Sequence, residues 1–135
     1  MTEWNEDLIR YRMKRAHETL EDARILEKSK RWKACVNRLY YACYYAVSAL
    51  LMQKGLYSSK HTGIRSLFNL HFVKSDKVPK DYAKTFNDLF ERRQESDYVD
   101  FVRFTQSQVR PWIKKAEKFV VFIADLIQHE ENQRD

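Results

Sequence analysis

Glycine and proline are scarce in this chain of 135 residues, with two of each. An all-β sandwich, which needs a turn every ten residues or so, is poorly served by so little punctuation. Gly55 and Gly63 stand too far apart to form a phosphate-cradling Gly-rich loop. Cysteine is equally sparse, with Cys35 and Cys43 alone. On one helix their Cα atoms would lie roughly 12 Å apart at 1.5 Å of rise per residue, beyond the ~7 Å that a disulfide spans. They read as buried free thiols of a cytoplasmic protein. No Cys or His lies at zinc-ligand spacing from either. Long apolar runs are missing too. Leu39 to Met52 carries no charge, but it is interrupted by tyrosines and shorter than the ~20 apolar residues of a spanning helix. Met1 to Asp7 leads straight into a charged segment rather than a secretory leader.

What the chain does contain is enough for a core: 44% hydrophobic and 14% aromatic residues. Its periodicity is helical. Trp4, Leu8, Tyr11, Ala16, Leu20, Ala23 and Leu26 share one stripe, with Asn5 or Asp7 suited to cap it. A second helix from about Lys30 to Lys54, stopped by Gly55, carries Trp32, Cys35, Val36, Leu39, Tyr40, Cys43, Val47, Leu50 and Leu51 on one stripe. Ala42, Ala46 and Ala49 form a second stripe of small residues, which marks this helix as central. Ser58 or Ser59 is suited to cap a third helix bearing Ile64, Leu67, Phe68 and His71 or Phe72. Pro79 opens a fourth with Tyr82, Phe86, Leu89, Phe90 and Arg93 on one face. Ser96 to Phe104 breaks the pattern. The last helix carries Val109, Trp112, Ile113, Ala116, Val120, Ile123 and Ile127, with Pro111 expected in its first turn, and a polar tail from His129 to Asp135 is expected to fray. The expected fold is all-α: one domain over residues 1–135, five helices, and an up-down four-helix-bundle core.

An ordered set of residues adds a family likeness. Arg38-Leu39-Tyr40-Tyr41-Ala42-Cys43-Tyr44-Tyr45-Ala46 is followed by Leu50-Leu51, Gly55, Lys60-His61, Gly63, Phe68 and Phe72-Val73-Lys74, and then by Arg93-Gln94-Glu95-Ser96-Asp97-Tyr98. From about Leu8 to Ile127 the chain resembles the HEPN superfamily, and most of all its small stand-alone prokaryotic branch. The resemblance implies a homodimer, encoded in many cases beside a minimal nucleotidyltransferase as the toxin-like half of a toxin–antitoxin pair, with RNA or a nucleotide as ligand. Active members of the family are metal-independent endoribonucleases. They carry an Arg, four to six residues and then a His, the two protomers bringing these motifs to a shared groove.

Cleaving RNA with its own 2′-hydroxyl needs a base, an acid and a cation for the developing charge. Arg93 fits the family's Arg, but the His position falls on Tyr98. With a reference pKa near 10, tyrosine is a poor base at neutral pH, although it can donate, stack or serve as an acid. His61, beside Lys60 at the start of the third helix, is the substitute proton carrier. The catalytic candidates are therefore Arg93, Tyr98 and His61, and the binding candidates Arg38, Tyr41, Lys60 and Asp97. Two roles compete for this set, a binding module for the nucleotidyltransferase and a ribonuclease. A third reading makes Tyr98 a substrate of the nucleotidyltransferase, but the family's modified tyrosine falls where this chain has Asp100.

Arg38, standing among aromatics, needs a carboxylate or carbonyl partner if buried, and Asp97 is one candidate. Asp97 can equally pair with Arg93 and lock the end of the fourth helix. His71 is expected at the edge of the core, and His17 and His129 at the surface. Asp97 and Asp100 with His61 or His71 match no metal-ligand spacing, and no cofactor is expected. The formal net charge is +6. Most of the excess lies in one stretch, where Arg24, Lys28, Lys30, Arg31, Lys33 and Arg38 face only Glu27. This is either a solvated corner or a phosphate-tracking patch with Trp32 or nearby tyrosines as stacking platforms. It is remote in sequence from Arg93. Tyr98 to Phe104 brings aromatics into an irregular stretch, which suits a dimer or partner surface if exposed and seals the bundle if buried.

Overall fold

The structure is a computed structural model that describes the backbone of residues 3–133 and the side chains of residues 5–133. The expected place of Trp4 in the first apolar stripe lies outside the described side chains. Five helices follow in order: α1 (Glu3–Lys28), α2 (Trp32–Gln53), α3 (His61–Phe68), α4 (Lys80–Tyr98) and α5 (Gln106–Asn132). A π-helical turn, Asn69–Val73, extends α3. No strand occurs among the described residues.

Cross-helix contacts fix the topology. Arg24 near the end of α1 pairs with Glu117 in the first half of α5, so these helices run opposite ways. Tyr82 stacks on Phe122 and Phe86 on Phe119, so α4 and α5 also run opposite ways. Arg93 near the end of α4 reaches Tyr41 in the first half of α2. With α1 folded back onto α2 through a short turn, the four long helices run up, down, up and down.

The central position of α2 follows from its composition. Cys35, Val36, Leu39, Tyr40, Ala42, Cys43, Ala46, Val47, Ala49, Leu50 and Leu51 are all fully buried, so both apolar stripes are covered. On α1, Ala16, Thr19 and Ala23 are fully buried at three- and four-residue spacing, and small side chains there let a neighbouring backbone approach. Cys35 Sγ donates to the Ala23 carbonyl at 3.4 Å. An aromatic ladder crosses the core. Tyr40 stacks on Phe86 with centroids 6.0 Å apart, Phe86 on Phe119 at 5.9 Å, and Phe68 meets Phe86 edge-on at 5.4 Å. Such pairs each contribute about 0.5–1.5 kcal/mol beyond area burial.

Several expected boundaries shift. α1 already starts at Glu3, so Asn5 and Asp7 lie inside it rather than capping it. No side chain caps α3; Lys60 is its extended N-cap residue, and Ser58 Oγ accepts from the Lys60 N–H at 3.2 Å. α4 continues through the expected break to Tyr98. α5 starts before Pro111 because Thr105 and Gln108 form a reciprocal capping box, which places the proline in the second turn. Pro111 and Ser107 are exposed there, so the carbonyl that proline leaves without an N–H is open to water. In the polar tail, α5 continues to Asn132, and Glu130 pairs with Lys54 at 2.8 Å. The wide π-turn sends Phe72 into the core and leaves His71 exposed rather than at the core edge. No described helix is long and apolar enough to cross a membrane.

Candidate functional site

Four tyrosines in one and a half turns of α2 set the geometry. Tyr40 and Tyr44 are four residues apart and share a face; Tyr41 and Tyr45 share the adjacent one. Tyr40 is fully buried. Its hydroxyl lies 2.8 Å from His61 Nδ1. Tyr44 stacks on the same imidazole, with centroids 4.4 Å apart, and Tyr41 meets it edge-on at 5.6 Å.

His61 is the first residue of α3, and local sequence places it there. A Cβ on Gly63 would stand 2.0 Å from Ser58 Oγ and 2.7 Å from Ser58 Cβ, so only glycine lets the preceding loop fold this tightly against the first turn. Arg65 then ties α3 to α4, donating to Asn87 Oδ1 at 2.7 Å and to Glu91 at 2.9 Å, with its guanidinium 4.5 Å from the Phe90 ring centre.

Arg93 approaches from α4. Its side chain is 17% exposed. Nη2 donates to the Tyr41 hydroxyl at 3.2 Å. Nε lies 2.9 Å from Asp97 Oδ2, an ion pair in which the N–H is not aligned as a hydrogen bond. The guanidinium carbon is 5.6 Å from the Tyr40 ring centre and 5.4 Å from that of Tyr41. Arg38 covers Tyr41 from its own helix at 4.9 Å. Its donors go to Asn37 Oδ1 at 2.7 and 3.2 Å, so Asn37, not Asp97, is its partner.

Of the residues singled out from sequence, Arg93, His61, Tyr41, Asp97 and Arg38 gather around the α2 tyrosines. Tyr98 does not join them; it ends α4 with 78% of its surface exposed. Lys60 is exposed and has no ion pair to a described residue. Tyr40 and Tyr44, both direct neighbours of His61, are the residues that sequence reading passed over. The available signal was a tyrosine on the buried stripe, whose hydroxyl requires a partner.

The electrostatics are those of a donor-rich cluster. Burial, helped by the nearby Arg93 charge, holds His61 below the ordinary histidine range, so its ring is neutral at pH 7. Burial pushes the Tyr40 and Tyr44 hydroxyls up, and both stay protonated. A cation, a neutral imidazole and phenols around it can bind an anion and move a proton near it. No group of His, Cys, Asp and Glu suited to a metal occurs among the described residues.

The basic corner also comes near this site. Arg31, Trp32, Lys33, Ala34 and Asn37 at the start of α2 line a groove whose other wall is Ser96 and Asp97 of α4. Remote in sequence, the corner adjoins the Arg93 ion pair in space. Arg24 is taken up by Glu117 and Glu27. Lys28, Lys30, Arg31 and Lys33 are exposed without ion pairs to described residues. Past the end of α4, Val99 and Phe101 are 53% and 96% exposed, and Phe101 has φ of +66°.

Comparison with known proteins agrees with this architecture. A Thermotoga maritima protein named "UPF0332 protein" is 47% identical over 123 residues, covering 91% of this chain and 93% of that protein. A Methanocaldococcus jannaschii protein named "Putative toxin" is 32% identical over 105 residues, 78% of each chain. A second protein of that organism with the same designation is 26% identical over 108 residues, 80% of this chain and 74% of that protein. The HEPN domain family matches residues 9–126, spanning all five helices, and the chain belongs to that family.

Proposed function

We propose that this HEPN protein is the toxin-like half of a two-component pair, a homodimeric binding module that engages a minimal nucleotidyltransferase and takes RNA or a nucleotide as ligand. The observation that carries this reading is the segment beyond α4. Tyr98, Val99 and Phe101 are large apolar side chains left in water, and Phe101 holds a left-handed backbone that costs about 1–2 kcal/mol for a residue with a Cβ. Strain combined with apolar exposure has no folding advantage in the isolated chain and is characteristic of a contact surface. The relatives named as toxins support the same reading. Co-expression with a nucleotidyltransferase encoded beside the gene, followed by affinity capture and native mass measurement, tests it. A stable complex containing two copies of this chain is expected; no association on co-expression overturns the reading.

One observation favours a second role, as a metal-independent ribonuclease. Arg93 and His61 flank the same tyrosine rings, so a cation and a proton carrier are available together. Tyr98, exposed and away from the cluster, fits the contact surface better than the proton transfer. Purified protein should then cleave RNA in the presence of a chelator. Cleavage undiminished by Arg93→Ala sinks this role.

A further inference from the structure

We propose that Tyr40 is a positioning residue that locks His61 in the Nε2–H tautomer, so that the imidazole offers a hydrogen-bond donor, not a base, beside Arg93. The inference rests on the Arg93–His61 cluster being the working site, and it assigns the hydrogen-bonding role of the imidazole there.

The argument is one of satisfied valences. Tyr40 is sealed from solvent, and its hydroxyl has one hydrogen-bond partner among the described residues, His61 Nδ1. The charged group nearest its ring, Arg93, is a donor and cannot accept. If Nδ1 carried the proton, it would donate to the phenol oxygen, and the phenol's own proton would be buried without an acceptor, at a cost of about 1–3 kcal/mol. With the phenol donating to Nδ1, every valence is met. The neutral ring then carries its single proton on Nε2. Nε2 has no partner among the described residues, yet it is not among the buried atoms left without one, so it reaches solvent. Stacking by Tyr44 holds the ring plane, which keeps Nε2 from rotating away. His61 Nε2–H and the Arg93 guanidinium thus form a pair of donors around the α2 tyrosines. Their ligand class is an oxyanion such as a phosphate ester, toward which the neutral Nε2–H donates a hydrogen bond while keeping its proton.

Long-range proton–nitrogen NMR of the full chain, above the pH at which His61 titrates, reads the tautomer directly. The wild type should show a protonated Nε2 and a lone-pair Nδ1. In Tyr40→Phe the Nδ1–H form should gain at the expense of Nε2–H, whereas Tyr44→Phe, which loses no bond to the ring, should keep the wild-type tautomer. A wild-type ring protonated on Nδ1 overturns the proposal, and so does an unchanged tautomer in folded Tyr40→Phe. Should Tyr40→Phe not fold, a coupling across the hydrogen bond between the Tyr40 hydroxyl proton and His61 Nδ1 in the wild type decides the same question; its absence counts against the lock. None of these readouts requires RNA cleavage or a partner. Failure of the functional reading therefore leaves the tautomer result standing, and failure of the lock leaves partner capture untouched.

Discussion

The guanidinium of Arg93 and the imidazole of His61 lie against the same two aromatic rings, those of Tyr40 and Tyr41, at 5.4–5.7 Å between centres. One residue lies near the end of a long helix and the other begins a short one. The tyrosines of α2 are the common floor on which they meet.

Arg93 holds that floor together. Arg93→Ala removes the bond to the Tyr41 hydroxyl and leaves Asp97 without its counter-charge. We expect a loss of about 1–2 kcal/mol in chemical denaturation. Asp97→Asn should cost less, because that carboxylate is partly solvated and screened. Equal losses in the two variants would contradict this ordering.

The pH dependence has a definite sign. The groups facing His61 are Tyr40, Tyr41 and Tyr44 from α2 and Arg93 from α4, and the folded state holds the imidazole below its unfolded value near 6.5. As pH falls from about 6.5, the unfolded chain takes up a proton that the folded chain resists. Stability should therefore decline toward acid, and the decline should be shallower in His61→Gln. Parallel melting-temperature profiles for the two proteins across that range would refute it.

The loop before α3 depends on a missing side chain. Gly63→Ala drives a methyl group into Ser58, so either the loop or the first turn of α3 must move. We expect lower thermal stability together with displaced His61 resonances, and partial recovery in Gly63→Ala combined with Ser58→Gly. A double variant no better than the single one would place the conflict elsewhere.

Both thiols should be silent in the folded protein. Burial pushes the Cys35 thiol up to about 11 and the Cys43 thiol up as well, so almost no thiolate forms at pH 8. A thiol reagent should label neither until denaturant is added, and then both. Rapid labelling under native conditions would show that the α1–α2 packing opens readily.

Phe101 should trade stability against assembly. Phe101→Gly relieves the left-handed strain at a position where almost no side-chain contact is lost. A gain of roughly 0.5–1 kcal/mol is expected, with weaker capture of the partner. A variant that is more stable and binds equally well would remove this residue from the contact surface.

Much of this was legible in the sequence because helices announce themselves locally. The doubled apolar stripe of α2 placed it at the centre, and Gly55 and Pro79 marked true boundaries. The Thr105–Gln108 capping box was local too, yet Pro111 drew attention away from it. The cluster is a different matter. Arg93 and Asp97 lie one helical turn apart, so their pairing could be foreseen. The meeting of His61 with Tyr40 depends on how α3 lies across α2, and that is set by Arg65 reaching Asn87 and Glu91 on α4. No spacing along the chain encodes such a tertiary choice. The nearness of the basic corner to α4 was hidden for the same reason.

Asp97 belongs to two neighbourhoods at once. One is the arginine it pairs with; the other is the groove it walls opposite Arg31 and Lys33, where it is the one carboxylate in the lining. Removing its charge frees Arg93 and also leaves the groove uniformly positive. An Asp97 substitution that strengthens polyanion binding would thus combine two gains with separate origins. Only a paired substitution at Lys33 can tell them apart, because Lys33 borders the groove and does not contact the arginine.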